Sequence, residues 1–192
     1  MKLAPLSALL IASALTSSCI SIKSVDDDQV PAAWRQATSS KATKPGDFNG
    51  RFFPDGQVVR SDGKVAAWTL LDLFLPGRYM SRHQPYVDVC ELRLAVTGRL
   101  TFTAFQGGAI VDTESFDTEF DSAAGVLTVK SIPVSDKFDE FGRVASTRSA
   151  RLQIGSDQAL YSQVRQTGAG VVLLMPVAGT SSMWARWEPA SR

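Results

Sequence analysis

The chain of 192 residues contains a single histidine and only two cysteines. Metal centres of the zinc type draw on several His and Cys ligands, so no metal and no cofactor is expected. An excess of charge of one sign is also missing, because 20 Lys and Arg face 19 Asp and Glu. Broad nucleic-acid binding needs concentrated positive charge, and no nucleic-acid partner is expected. No apolar run approaches the ~18 consecutive residues of a membrane-spanning helix. What the chain does have is 44% hydrophobic residues. That suits a folded globular domain and is too much for a disordered one.

The amino terminus carries the clearest signal. Lys2 precedes an apolar stretch from Leu3 to Leu15, followed by the small residues Thr16, Ser17 and Ser18 and then Cys19. A short hydrophobic run behind a positive charge reads as a secretory signal. Leu15-Thr16-Ser17-Ser18-Cys19 resembles the lipobox of bacterial lipoproteins, although its leucine stands four residues before the cysteine where three is usual. The resemblance implies that residues 1–18 are removed and that Cys19 is diacylated and then acylated on its new amine, palmitate being a typical chain. Each buried methylene adds ~0.8 kcal/mol, so two or three chains anchor a protein stably. Ile20 stands where an aspartate would resemble the inner-membrane retention signal, so the implied location is the outer membrane, facing the periplasm. Removing 18 of 192 residues leaves 174, and lipidation consumes Cys19. Cys90 then has no partner for an internal disulfide.

From Ile20 to about Lys44 the chain is rich in Ser, Thr, Ala, Lys and Asp, with little apolar periodicity. Asp26-Asp27-Asp28 lacks the spacing and glycine of a calcium loop, so residues 19–46 read as a lipidated cysteine on a solvated tether. Pro45-Gly46 punctuates the chain, and a single domain is expected over 47–192. Its pattern is that of strands. A short run from Phe48 to Phe53 ends at Pro54-Asp55-Gly56, and Gln57 to Arg60 returns from it. Val65 to Leu75 reads as a helix of two or three turns stopped by Pro76-Gly77. In Tyr86 to Val96, Cys90, Leu92, Leu94 and Val96 alternate with Glu91, Arg93 and Ala95. Cys90 therefore belongs to the apolar face of a strand. Further strands are expected at Arg99 to Phe105, Ala109 to Phe116, Val126 to Ile132, Ala145 to Ile154, Ala159 to Gln166, Val171 to Val177 and Met183 to Glu188. Thr167-Gly168-Ala169-Gly170 and Gly179-Thr180-Ser181-Ser182 read as turns. The fold class is thus mainly β: one antiparallel β-barrel of about eight to ten strands with one short helix, a β-sandwich being the alternative.

This pattern resembles the lipocalin or calycin barrels and small bacterial lipoproteins of uncharacterised function. Gly50-Arg51-Phe52 lies where lipocalins place a Gly-x-Trp on the first strand, with Phe52 in place of the tryptophan. The resemblance implies that Arg186, on the last strand, stacks on that aromatic across the barrel. Phe52, Phe102 and Arg186 are the candidate ligand contacts it suggests.

No catalytic set emerges, and no enzyme is expected. His83, between Arg82 and Gln84, lacks the orienting partner that a general base requires. Cys90 reads as an inert core thiol. The carboxylates of Asp136-Lys137-Phe138-Asp139-Glu140-Phe141 read as a solvated loop, since adjacent Asp139 and Glu140 point to opposite sides of an extended chain. Gly168 and Gly170 lead into an apolar strand rather than a helix, so they do not form a phosphate loop. Two functions fit: a lipid-anchored, non-enzymatic envelope protein that binds a small or lipidic ligand in its barrel, or an accessory that holds an envelope protein.

Overall fold

The computed structural model describes residues 29–39, 42–59, 63–78, 86–134, 137–139, 142–172 and 175–190. Ten strands occur among them: β1 (Gly50–Val59), β2 (Val65–Thr69), β3 (Val89–Leu94), β4 (Arg99–Gln106), β5 (Ala109–Asp121), β6 (Val126–Pro133), β7 (Lys137–Asp139), β8 (Gly142–Ile154), β9 (Leu160–Val172) and β10 (Met175–Pro189). All pair antiparallel, in the order β10-β9-β8-β6-β5-β4-β3-β1, and β10 pairs β1 to close the sheet into a ring. This is the mainly β, closed antiparallel arrangement expected. Strand β1 has three partners: β10 along one edge, and on the other β3 beside Gly50–Phe52 and β2 beside Asp55–Val59.

Alternation drives the burial. Cys90, Leu92 and Leu94 are buried in β3, and Leu100, Phe102 and Ala104 in β4, all in one interior cluster. Leu127 and Val129, Ala150 and Leu152, Leu160 and Val164, and Ala185 and Trp187 complete it from β6, β8, β9 and β10. Large side chains fill the interior. Phe74 stacks on Phe102 at 4.9 Å, and lies 5.3 Å from Phe116.

Both ends of the ring are covered. A 3-10 turn at Pro45–Phe48 places fully buried Phe48 edge-on to Phe120 at 5.9 Å. Asn49 Oδ1 accepts the Leu94 amide at 2.6 Å and ties this turn to β3. The opposite end is roofed by a short helix, α2 (Leu70–Phe74), whose Leu70, Leu71, Leu73 and Phe74 are all buried. Thr69 and Asp72 form a reciprocal capping box at its start, satisfying amides that would otherwise lack partners.

Several local expectations are corrected. The helix anticipated over Val65 to Leu75 is strand β2 followed by α2, because the capping pair marks the helix start at Thr69. Pro54-Asp55-Gly56 lies inside β1 rather than in a turn, with a register irregularity between Phe52 and Gly56. Gly56 is required there: a Cβ would collide with the Trp187 ring and the Arg186 carbonyl. Thr167 to Gly170 and Gly179 to Ser182 are likewise strand, facing one another in register, with Gly168 opposite Gly179 and Thr167 opposite Thr180. Lys137–Asp139, expected in a loop, is the short strand β7 against β8. Val96, assigned to the apolar face, is fully exposed in the turn after β3.

The segment assigned to the tether also differs. Ala32–Ala37 forms a second short helix, α1, and buries Trp34 and Ala37. Together with Val30 they pack on Val59, Ala159 and Tyr161 outside the ring, with Trp34 edge-on to Tyr161 at 6.0 Å. Ala, Arg and Gln favour a helix, but six residues are too few to hold one alone, and the buried tryptophan supplies the apolar contact that fixes it. No helix among the described residues is long and apolar enough to cross a membrane.

Candidate functional site

The interior is apolar apart from buried Ser162 on β9 and a polar group near the roof. Arg148 shares its strand face with Ala150 and Leu152, so the guanidinium points into the ring. Its Nη1 donates to the Asp72 carbonyl and, at 3.4 Å, to the Leu73 carbonyl, both in α2. Its Nη2 donates to Gln166 Oε1 at 3.0 Å, and Gln166 Nε2 donates to Ser146 Oγ at 3.3 Å. The charge centre lies 5.7 Å from the Trp68 ring, which in turn lies 5.7 Å from Trp187. These oxygens are neutral, and burial lowers the Arg148 pKa from its ordinary value against a smaller opposing pull from the Asp72 carboxylate. Arg148 Nε is buried without a partner, as are Trp187 Nε1 and Ser162 Oγ. The arrangement latches the roof helix to the wall. It also leaves N–H groups that an anion or an ordered water could accept.

The candidate residues named from sequence separate. Phe52 and Phe102 are buried in the interior cluster and occupied by packing. Arg186 lies on the opposite face of β10 from buried Ala185 and Trp187, so it does not cross the interior to Phe52. Its charge centre sits 5.6 Å over the Tyr161 ring instead. Nε donates to Tyr161 Oη at 2.9 Å, Tyr161 donates to Asp157 at 2.8 Å, and Nη2 pairs with Asp157 at 2.9 Å. Glu188 completes this network. Burial pushes the Tyr161 phenol up to about 12. Burial alone would raise the Asp157 pKa, but Arg186, Tyr161 and the Ala159 amide hold it below the ordinary carboxylate value. The network clamps the surface on which Trp34 rests. Cys90 is fully buried, and that burial, with a smaller contribution from Asp55, pushes its thiol up to about 12. Cys19, His83 and Glu140 lie outside the described residues, and only the backbone of Asp139 is described.

Two surface depressions accompany these features. One, of about 550 Å³, is lined by Asn49, Arg51, Glu91 and Arg93, with Glu91 bridging both arginines. The other, of about 300 Å³, opens between β5 and β6. There the wall splays: β5 pairs β6 only over Thr118–Asp121, whereas beyond Val129 β6 pairs only β8. The chain leaving α2 fills the gap, with Phe74 and Leu75 as floor and Arg78 bound to Asp112 and Glu114 of β5. No group of three His, Cys, Asp or Glu side chains that could hold a metal converges among the described residues.

Arg148 was missed from sequence because one charged residue in an alternating strand looks solvent-facing. The available signal was parity, since it stands two residues before buried Ala150 and four before buried Leu152. The geometry defines a closed antiparallel sheet with a packed interior and a latched roof. Comparison with protein-family models, curated proteins and solved structures finds no match for the chain.

Proposed function

We propose that the chain is a lipid-anchored, non-enzymatic protein of the bacterial outer membrane, facing the periplasm, that acts as an interaction or assembly accessory for an envelope protein. The observation that carries the choice is the filling of the ring. Phe48, Phe52, Phe74, Phe102, Phe116 and Trp187 occupy the space in which a closed sheet of this size would hold a ligand. A sheet with its interior packed and both ends covered offers its outer surface for binding. Anchorage rests on the lipobox-like Leu15–Cys19 segment and on the acyl chains that it implies.

Two experiments test this. Cys19→Ser is expected to leave the protein unprocessed or soluble on membrane fractionation; retention without acyl mass would overturn the anchor. Cross-linking in cells is expected to capture a reproducible envelope protein, and its absence would overturn the accessory role. A second reading, a small or lipidic ligand bound beside Arg148, is favoured by the buried, unpartnered Nε. Native mass spectrometry of delipidated protein from its host distinguishes it by a retained ligand mass.

A further inference from the structure

We propose that the depression over β1 and β3 seats an acidic side chain of a partner protein, with Arg51 and Arg93 as its donors and an apolar neighbour of that side chain resting beside them. The proposal rests on the accessory role above and names its site. Arg51 stands directly opposite Glu91 across the β1–β3 pair, and Arg93 lies two residues further along the same face of β3. Arg51 Nε donates to Glu91 Oε1 at 3.2 Å, while Arg93 donates through Nε at 2.9 Å and through Nη2 at 3.3 Å. One carboxylate therefore holds two guanidinium groups at a depression of about 550 Å³. Burial alone would raise the Glu91 pKa, but the two arginines hold it below the ordinary carboxylate value, so it stays ionised at neutral pH.

Those bonds do not use up the donors. Both Nη groups of Arg51 and Nη1 of Arg93 have no partner among the described residues, and the two side chains are 50% and 72% exposed. Asn49, in the same lining, gives its Oδ1 to the Leu94 amide and keeps its Nδ2 hydrogens as further donors. Glu91 is the one acid of the described lining, which leaves a single positive charge over, and one carboxylate neutralises it. Arg51 is also held from below, its charge centre 5.5 Å over the Phe105 ring. A guanidinium fixed in advance by a carboxylate and a ring surrenders little freedom when a ligand arrives. Phe53, on the Arg51 face of β1, is 46% exposed and with Phe105 makes an apolar shelf beside the donors. Spare guanidinium donors and an apolar shelf together specify a glutamate or aspartate with an apolar neighbour.

The probe is a short peptide, Ser-Leu-Glu-Phe-Ser with blocked ends, titrated into the full-length protein in a zwitterionic detergent. Its comparators are the same peptide with glutamine for glutamate, and glycerophosphoglycerol as the headgroup of an anionic lipid. The glutamate peptide is expected to shift the side-chain Nε–H resonances of Arg51 and Arg93, and both comparators are expected to bind at least ~10-fold more weakly. Arg93→Gln is expected to weaken the glutamate peptide by ~10-fold, whereas Arg151→Gln, which removes an equal charge from the exposed face of β8, is expected to leave it unchanged. Thermal melts confirm that both variants are folded. Because the Ala190 amide donates to the Arg51 carbonyl, a chain ending at Ala190 is tested as well and is expected to bind like the full chain. Equal binding of the glutamine peptide, equal loss in Arg151→Gln, tighter binding of the headgroup, tighter binding by the shortened chain, or no binding would each overturn the site. A partner captured in cells alongside any of those results would sink the site and leave the accessory role standing.

Discussion

Replacing Arg148 with methionine tests whether the guanidinium is a structural latch or is held ready for a ligand. Methionine keeps an unbranched apolar stem of similar reach beside Trp68, so the lost element is the charged donor. Two roof carbonyls and the Gln166 amide oxygen would lose that donor. A hydrogen bond to a charged group contributes ~1.5–3 kcal/mol, while the unmet buried Nε–H, whose cost of ~1–3 kcal/mol disappears, works in the opposite direction. With the forked Nη1 bond counted once, the lower ends of those ranges leave a net loss of about 2 kcal/mol. Denaturant unfolding reads the total. Native-state amide exchange reads its location, because the loss should concentrate in α2 and spare β8, whose strand pairing is untouched. A variant as stable as the parent, with unchanged α2 exchange, would refute the latch and move weight to the ligand reading.

Other outcomes follow from the packing. Gly56→Ala should destabilise by ~1–3 kcal/mol in thermal melts, because its methyl meets the Trp187 ring and the Arg186 carbonyl. The Cys90 thiol, buried and titrating near 12, should resist thiol reagents at neutral pH and react rapidly after denaturation. Cys90→Ala should cost ~1 kcal/mol, and Cys90→Asp several times more. The clamp beneath α1 should weaken at both pH extremes, read by Trp34 fluorescence in single-tryptophan variants. Asp157, depressed in the fold, contributes stability above its unfolded pKa that is lost as acid protonates it. Tyr161, raised in the fold, contributes stability present below its unfolded pKa near 10 and lost as pH rises toward about 12.

The sheet was legible wherever side chains alternate. Cys90, Leu92 and Leu94 were placed on their buried face by period alone, and the strand count follows from the same rule. Legibility failed where a residue answers to a distant neighbour. Gly56 has turn chemistry, but its place inside β1 is set by an indole from the other end of the chain. Gly168 and Gly179 have loop composition, yet they lie opposite each other within paired strands. Trp34 sits in a polar segment whose composition suggests a tether, and its partner Tyr161 is more than 120 positions away. At the candidate sites, residue type was a poor guide. The residues first singled out, Phe52 and Phe102, are packing residues, whereas Arg148 and the carboxylates of β5 matter through the elements they join.

The pairing of β1 with β10 has a consequence in time. The strand that closes the ring is the last made, and its partner is the first, so their contacts span almost the whole domain. Such separation raises contact order and slows folding, because chain entropy is surrendered before the contacts repay it. Until β10 arrives, β1 and β9 each present a bare edge, and the Trp187 pocket beside Gly56 stands empty. A chain exported unfolded could not complete this domain partway through its passage. Loss of the final dozen residues would therefore leave a sheet with two adhesive margins in place of a shortened version of the same protein.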